Sequence, residues 1–82
     1  MIIKKLQINS IDKVKEFCNA AVFGCEADVD VVSDRYVIDG KSIMGLFSLD
    51  LSKVLELRVH ADSLDEFKTG EFLESIKHLL VE

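Results

Sequence analysis

The sequence predicts an α+β fold in which an antiparallel sheet of four strands is covered on one face by three helices, in the order βαββαβα. Two observations lead to this fold class. Several short segments alternate apolar and polar residues with a period of two, which is typical of strands with one buried face. Between them lie segments whose apolar residues are three and four positions apart, which is typical of helices with one buried face.

Length and composition indicate one small domain, spanning residues 1–82, without enzymatic activity of its own. Of the 82 residues, 49% are apolar and 30% are charged, which is typical of a globular chain. A domain of this size has little volume for an internal active site. The net charge of −5 disfavours nucleic acid and anionic membranes as partners. The first residues reach charge too early for a signal peptide, so we expect a cytoplasmic protein. We also expect no cofactor.

The first half of the chain predicts a strand, a helix and a hairpin. The strand places Ile2, Leu6 and Ile8 on its core face. Ser10 is a suitable N-cap for the first helix, which we expect to end at Gly24. The apolar face of that helix consists of Ile11, Val14, Phe17, Cys18 and Ala21. The second strand buries Ala27, Val29 and Val31 and exposes Asp28 and Asp30, and residues 35–38 form the third strand, after a turn at Ser33-Asp34.

The second half predicts a short helix, a strand and a last helix. Ser42 caps the short helix, which directs Leu46 and Leu49 inward. Residues 55–61 alternate most regularly and form the fourth strand. The last helix begins with the capping-box pattern of residues 63–66 and buries Leu73, Ile76 and Leu80. Gly70 inside it indicates a kink or a close packing contact. The first six elements would also suit a ferredoxin-like arrangement, so the pattern leaves the strand order open.

The segment Gly-Lys-Ser-Ile-Met-Gly-Leu-Phe-Ser-Leu, residues 40–49, resembles the regulatory serine region of HPr, the histidine-containing phosphocarrier protein of the bacterial sugar phosphotransferase system. The likeness extends back through residues 26–29 and forward through residues 54–61 and Asp65-Glu66. The resemblance implies the open-faced β-sandwich of that family. It also implies a link to phosphotransfer or to carbon catabolite regulation in bacteria.

The phosphoacceptor motif of the family is absent. HPr proteins begin their first helix with Gly-Ile/Leu-His-Ala-Arg-Pro-Ala, and the histidine accepts a phosphoryl group from enzyme I. The family's spacing back from Ser42 places Ile11 at the histidine, followed by Asp12 and then Lys13 at the arginine. Isoleucine has no nucleophilic atom, so the resemblance predicts a divergent HPr-like protein without phosphocarrier activity. The catabolite-repression paralogue of HPr in bacilli also lacks this histidine.

Ser42 is the candidate regulatory site. In some relatives of HPr the matching serine is phosphorylated by HPr kinase, and the product binds a catabolite repressor. The resemblance implies the same partners here, although a serine at this position is also an ordinary helix cap. Lys41, Ile43, Met44 and Phe47 surround it and are the candidate partner-binding residues, because HPr docks onto its partners through the matching surface. The alternative is that Met44 and Phe47 complete the edge of the core.

Two other functions remain open at this point. His60, on the polar face of its strand, or His78, near the end of the last helix, would be the phosphoacceptor if the protein used a displaced histidine. The third alternative is a structural interaction domain that forms a homodimer through an exposed edge strand. Cys18 and Cys25 match neither a redox motif nor a zinc site, so we expect free thiols and no metal.

Overall fold

The computed structural model describes residues 1–34, 36–61 and 66–81. Its strands are β1 (Ile2–Leu6), β2 (Asp28–Ser33), β3 (Tyr36–Asp39), β4 (Leu55–His60) and β5 (Leu80–Val81). Its helices are α1 (Ile11–Gly24), α2 (Ile43–Phe47) and α3 (Glu66–Ser75), and a 3₁₀ turn, Lys77–Leu79, precedes β5. The predicted α+β class, with an antiparallel sheet and three helices, is confirmed, but the sheet has five strands rather than four.

The strand order is β3-β2-β4-β1-β5, and every neighbouring pair is antiparallel. This order resolves the choice that the sequence left open, since β4 lies between β2 and β1. The unexpected fifth strand is short: Leu80 pairs with Leu6 and Val81 with Lys5. The last helix therefore ends at Ser75, and Leu80 belongs to a strand rather than to that helix.

The core lies between one face of the sheet and the helices. Most of the strand residues predicted to point inward are buried, namely Leu6, Ile8, Val29, Val31, Leu57 and Val59, whereas Ile2 is only partly buried. From α1, Phe17 is fully buried, and its ring centroid is 6.3 Å from that of Phe72 in α3. Burial of such aromatic side chains contributes about 1.5–3 kcal/mol each by removing apolar area from water. The opposite face of the sheet is left open.

Two predictions about the helices need correction. Ile11 was expected on the buried face of α1, but it is 63% exposed, because the first turn of the helix extends beyond the buried residues that begin at Val14. Gly70 was expected at a kink or a tight contact, and the tight contact is not found, because none of the described atoms outside its own helix backbone and chain neighbours lies within 4 Å of a Cβ built there. In the last helix, Ile76 is buried as predicted and Leu73 only partly.

The capping-box residues Ser63, Leu64 and Asp65 lie outside the described residues, as does Arg35. Within the described helices, none is long and apolar enough to cross a membrane.

Candidate functional site

The start of α1 is built by Ser10. Its backbone is extended, with φ −147° and ψ 158°, and its hydroxyl accepts a hydrogen bond of 3.2 Å from the backbone N–H of Lys13. This is the geometry of an N-cap, which satisfies one of the N–H groups that a helix leaves unpaired. The cap fixes Ile11 as the first residue of the helix, with its side chain largely in water.

The side chains at this helix start offer little phosphotransfer chemistry. Ile11 presents only carbon atoms, and Asp12 adds an exposed carboxylate in the first turn. The Lys13 ammonium donates a hydrogen bond of 3.1 Å to the Asn9 side-chain oxygen, a partner that the sequence analysis missed. Isoleucine has no nucleophilic atom, so an imidazole phosphoacceptor would have to come from elsewhere in the chain.

Ser42 begins α2 and is positioned by a set of short hydrogen bonds. Its hydroxyl accepts from the backbone N–H of Gly45 at 3.2 Å, and its own N–H donates to the backbone carbonyl of Asp39 at 3.0 Å. The Asp39 carboxylate in turn accepts from the backbone N–H of Lys41 at 2.9 Å. This Asx turn was missed by the sequence analysis, although Asp-Gly is a recognisable turn signal. Together these bonds hold Ser42, which is half-buried, at the corner between β3 and α2.

Tight packing of α2 on β3 explains why the helix contains Gly45. A Cβ placed on Gly45 would lie 2.7 Å from Cγ2 of Ile38, well inside the normal contact distance. Leu46 and Leu49 are buried, as predicted. Because these two side chains are buried in the core, α2 is fixed in orientation, and its remaining side chains lie at the protein surface.

That surface is partly apolar. Met44 is 79% exposed and Phe47 is 38% exposed, whereas Ile43 packs against the edge of the core. Lys41 is half-buried beside Ser42. The helices α1 and α2 contact each other, and we call their exposed apolar residues Ile11, Met44 and Phe47 the apolar surface of α1 and α2. Exposed large apolar side chains on neighbouring helices are typical of a protein-binding surface.

Each of the two histidines is beside a carboxylate. His60 Nε2 is 2.7 Å from Asp30 Oδ2 on the open face of the sheet. Asp28 and Asp39 line the same open cavity of about 350 Å³. His78 Nε2 is 2.7 Å from Glu16 Oε1 on α1. Both rings thus sit in acidic surroundings, which disfavour the approach of a phosphoryl group.

The cysteines are buried and form no disulfide. Burial raises the pKa of the Cys18 thiol, and the nearby negative charge of Asp39 raises it further. The Cys25 sulfur lies 3.7 Å from the backbone oxygen of Ala27. Within residues 1–34, 36–61 and 66–81, no group of three or more metal-ligating side chains is close enough to hold a metal ion.

Comparison with solved structures finds a similar fold. The chain superimposes on the crystal structure of HPr-C-His from Thermoanaerobacter tengcongensis with a TM-score of 0.72 and 24% sequence identity, covering 94% of this chain and 92% of the other. The fold is therefore HPr-like, an open-faced β-sandwich, as the sequence resemblance implied. No protein-family model and no curated protein matches the sequence.

Proposed function

We propose that this chain is a non-catalytic, HPr-like regulatory or adaptor protein related to the phosphotransferase system, acting in the cytoplasm through Ser42 and the apolar surface of α1 and α2. The observation that carries the proposal is Ile11. It stands where the resemblance places the phosphoacceptor histidine, at the exposed first residue of α1, and it has no atom that can bind a phosphoryl group. The carrier function is lost, and binding functions of the same surface remain.

Ser42 is the proposed regulatory phosphorylation site, with HPr kinase as the partner that modifies it. Its hydroxyl accepts a hydrogen bond from the Gly45 N–H, so this N–H lies close enough to donate to a phosphate oxygen after phosphorylation. A phosphate adds about −1.5 to −2 charges beside Lys41, and this charge changes the surface next to Met44 and Phe47. The carboxylate of Asp39, which accepts a hydrogen bond from the Lys41 N–H, opposes the new charge.

The proposed partner that binds the phosphorylated protein is a catabolite repressor, which contacts Met44 and Phe47. Methionine adapts to differently shaped partners, and an aromatic ring contributes a large contact area. Because Met44 is largely exposed, its replacement by a polar residue should change binding without disturbing the core.

A displaced phosphoacceptor histidine is the alternative that the test must separate. A phosphoryl group on His60 would face the carboxylates of Asp28, Asp30 and Asp39, and one on His78 would face Glu16. Such repulsion lowers the driving force for transfer from enzyme I. Neither position favours this alternative.

The test is the intact mass of the protein after incubation with HPr kinase and ATP, run beside enzyme I with phosphoenolpyruvate. We expect one added phosphate from the kinase, none from enzyme I, and loss of the kinase product in Ser42→Ala. Ser48→Ala is the matched control, because Ser48 is an exposed serine at the other end of α2, with its hydroxyl donating to the Gly45 carbonyl at 2.5 Å. Labelling by enzyme I would contradict the loss of carrier activity.

The proposed binding of a partner is tested by titrating the phosphorylated protein with a catabolite repressor of the type that binds phosphorylated HPr. We expect phosphorylation to strengthen binding at least tenfold and Met44→Asp to abolish that gain. Val54→Asp is the control, since Val54 is also an exposed apolar residue but lies next to β4. Equal binding with and without phosphate would refute the charge-switch mechanism, even if the kinase modifies Ser42.

A further inference from the structure

The sheet has one open edge long enough to pair with another strand. β3 and β5 are the two edge strands, and β5 has two residues, whereas β3 has four, Tyr36–Asp39. Natural proteins usually protect such edges with lysine, proline or a bulge. The sequence of β3, Tyr-Val-Ile-Asp, has neither lysine nor proline, and Tyr36 and Val37 are 67% and 59% exposed.

The pairing of β2 with β3 fixes which backbone groups face outward. Gly40 donates its N–H to the carbonyl of Val29 at 2.7 Å, and the register continues with Ile38 opposite Val31 and Tyr36 opposite Ser33. Hydrogen-bonded pairs alternate along an antiparallel ladder, so Tyr36 and Ile38 direct their N–H and C=O groups toward β2. Val37 and Asp39 direct theirs toward the open edge.

These outward groups are not all equally available. The Asp39 carbonyl already accepts the hydrogen bond from the Ser42 N–H at 3.0 Å. Val37 therefore offers one donor and one acceptor together, and this pair is self-complementary: two copies related by a two-fold axis at Val37 exchange both hydrogen bonds. In one alternative register Val37 pairs with Asp39, whose carbonyl already accepts a hydrogen bond. In another, Asp39 pairs with Asp39 of the second copy, which sets two carboxylates opposite each other.

We propose that β3 is a self-association edge, and that two copies of this chain pair their β3 strands antiparallel with Val37 opposite Val37. In this register Tyr36 of each copy lies opposite Ile38 of the other. Aromatic residues opposite β-branched residues are among the favourable cross-strand pairs. The two sheets then continue through the dimer, and the exposed apolar side chains of the edge gain cross-strand neighbours. This proposal concerns the sheet edge and is independent of Ser42.

The dimer is expected to be weak and reversible. In this register only three residues of β3, 36–38, pair with β3 of the other copy, which places the interface at the small end of the range, below about 1,200 Å² of buried surface. Each chain also carries a net charge of −5, so the copies repel each other and added salt should strengthen the association.

The first test is sedimentation equilibrium of the intact chain from about 20 μM to about 2 mM, a range suited to weak interfaces. We expect the mean mass to rise with concentration. Val37→Lys should weaken the association at least tenfold, because it places two like charges opposite each other at the two-fold axis. Val54→Lys is the matched control: Val54 is 49% exposed, it receives the same charge, and it lies outside β3. We expect it to associate like the unmodified chain.

The second test determines the register by cross-linking. A hydrogen-bonded antiparallel pair has Cα atoms about 5.5 Å apart, within the range of about 4.4–6.8 Å that a disulfide requires. Val37→Cys should therefore form a disulfide-linked dimer under mild oxidation much faster than Val54→Cys, and the buried native cysteines provide a low background. A monomer at all concentrations, an unchanged association of Val37→Lys, or equal cross-linking of the two cysteine variants would overturn the proposal.

Discussion

Two glycine-to-alanine substitutions should change stability in opposite directions, although both glycines lie in helices. Alanine is favoured over glycine in a helix by about 1 kcal/mol. At Gly70 in α3 we find no described contact that a new Cβ would meet, so Gly70→Ala should gain about that amount. At Gly45 in α2 the new Cβ would lie 2.7 Å from Cγ2 of Ile38. Overpacking of this kind costs about 1–3 kcal/mol, which exceeds the propensity gain, so Gly45→Ala should lose about 1 kcal/mol.

Urea denaturation measures the difference. Because the urea dependence of the unfolding free energy is about 1 kcal/mol/M for a domain of this size, the midpoints of the two variants should differ by about 2 M. In thermal unfolding each 1 kcal/mol corresponds to about 4–8 °C. A Gly45→Ala protein that is as stable as Gly70→Ala would refute the close packing of α2 on β3.

A double-mutant cycle assigns the loss to the contact. Ile38→Ala removes Cγ2, the atom that the new Cβ of Gly45→Ala would approach. If that contact causes the loss, Gly45→Ala should destabilise the Ile38→Ala background less than the unmodified chain, with a coupling energy of about 0.5–3 kcal/mol between the two sites. Additive effects would show that the strain arises elsewhere.

Two further predictions follow from the titratable groups. The side chain and backbone N–H of Ser52 hold the pKa of Asp50 below its usual value, since both bond Asp50 Oδ1, at 2.6 and 3.1 Å. The stability from this lowered pKa is present above the ordinary carboxyl pKa and is lost as pH falls through the folded-state value. Ser52→Ala should raise the pKa of Asp50, measured by NMR titration of its carboxyl carbon, and an unchanged value would contradict the assignment. Cys18, whose pKa is raised by burial and by Asp39, should react with a thiol reagent far more slowly in the folded protein than in urea, whereas equal rates would contradict its burial.

Local signals in the sequence were sufficient for much of the fold. Ser10 and Ser42 were predicted as caps because a serine before an apolar-periodic segment satisfies helix N–H groups within three residues. The inward residues of β2 and β4 were predicted because strand alternation is a property of neighbouring positions. Both caps accept the expected hydrogen bonds.

The errors arose where distant parts of the chain decide the structure. Leu80 continues the helical spacing of α3, yet it forms β5 because Leu6, more than seventy residues earlier, offers a free strand edge. The pairing of His60 with Asp30 joins residues 30 positions apart and was equally invisible to local patterns. In the candidate site, the sequence predicted Ser42 and its neighbours, but the role of Asp39 in the turn required the structure.

The exposure of Ile11 indicates what this side chain contributes to the protein. A buried isoleucine at this position would be explained by packing, because core burial of such a side chain stabilises a protein by about 1.5–3 kcal/mol. With 63% of its surface in water, Ile11 gains only a small part of that. Its exposed apolar area lies on a helix that contacts the helix carrying Met44 and Phe47, and it instead suits desolvation by a partner protein. Ile11→Ser should leave the unfolding free energy nearly unchanged. It should weaken the binding of any partner that docks on the apolar surface of α1 and α2. A large loss of stability would show that packing explains the isoleucine.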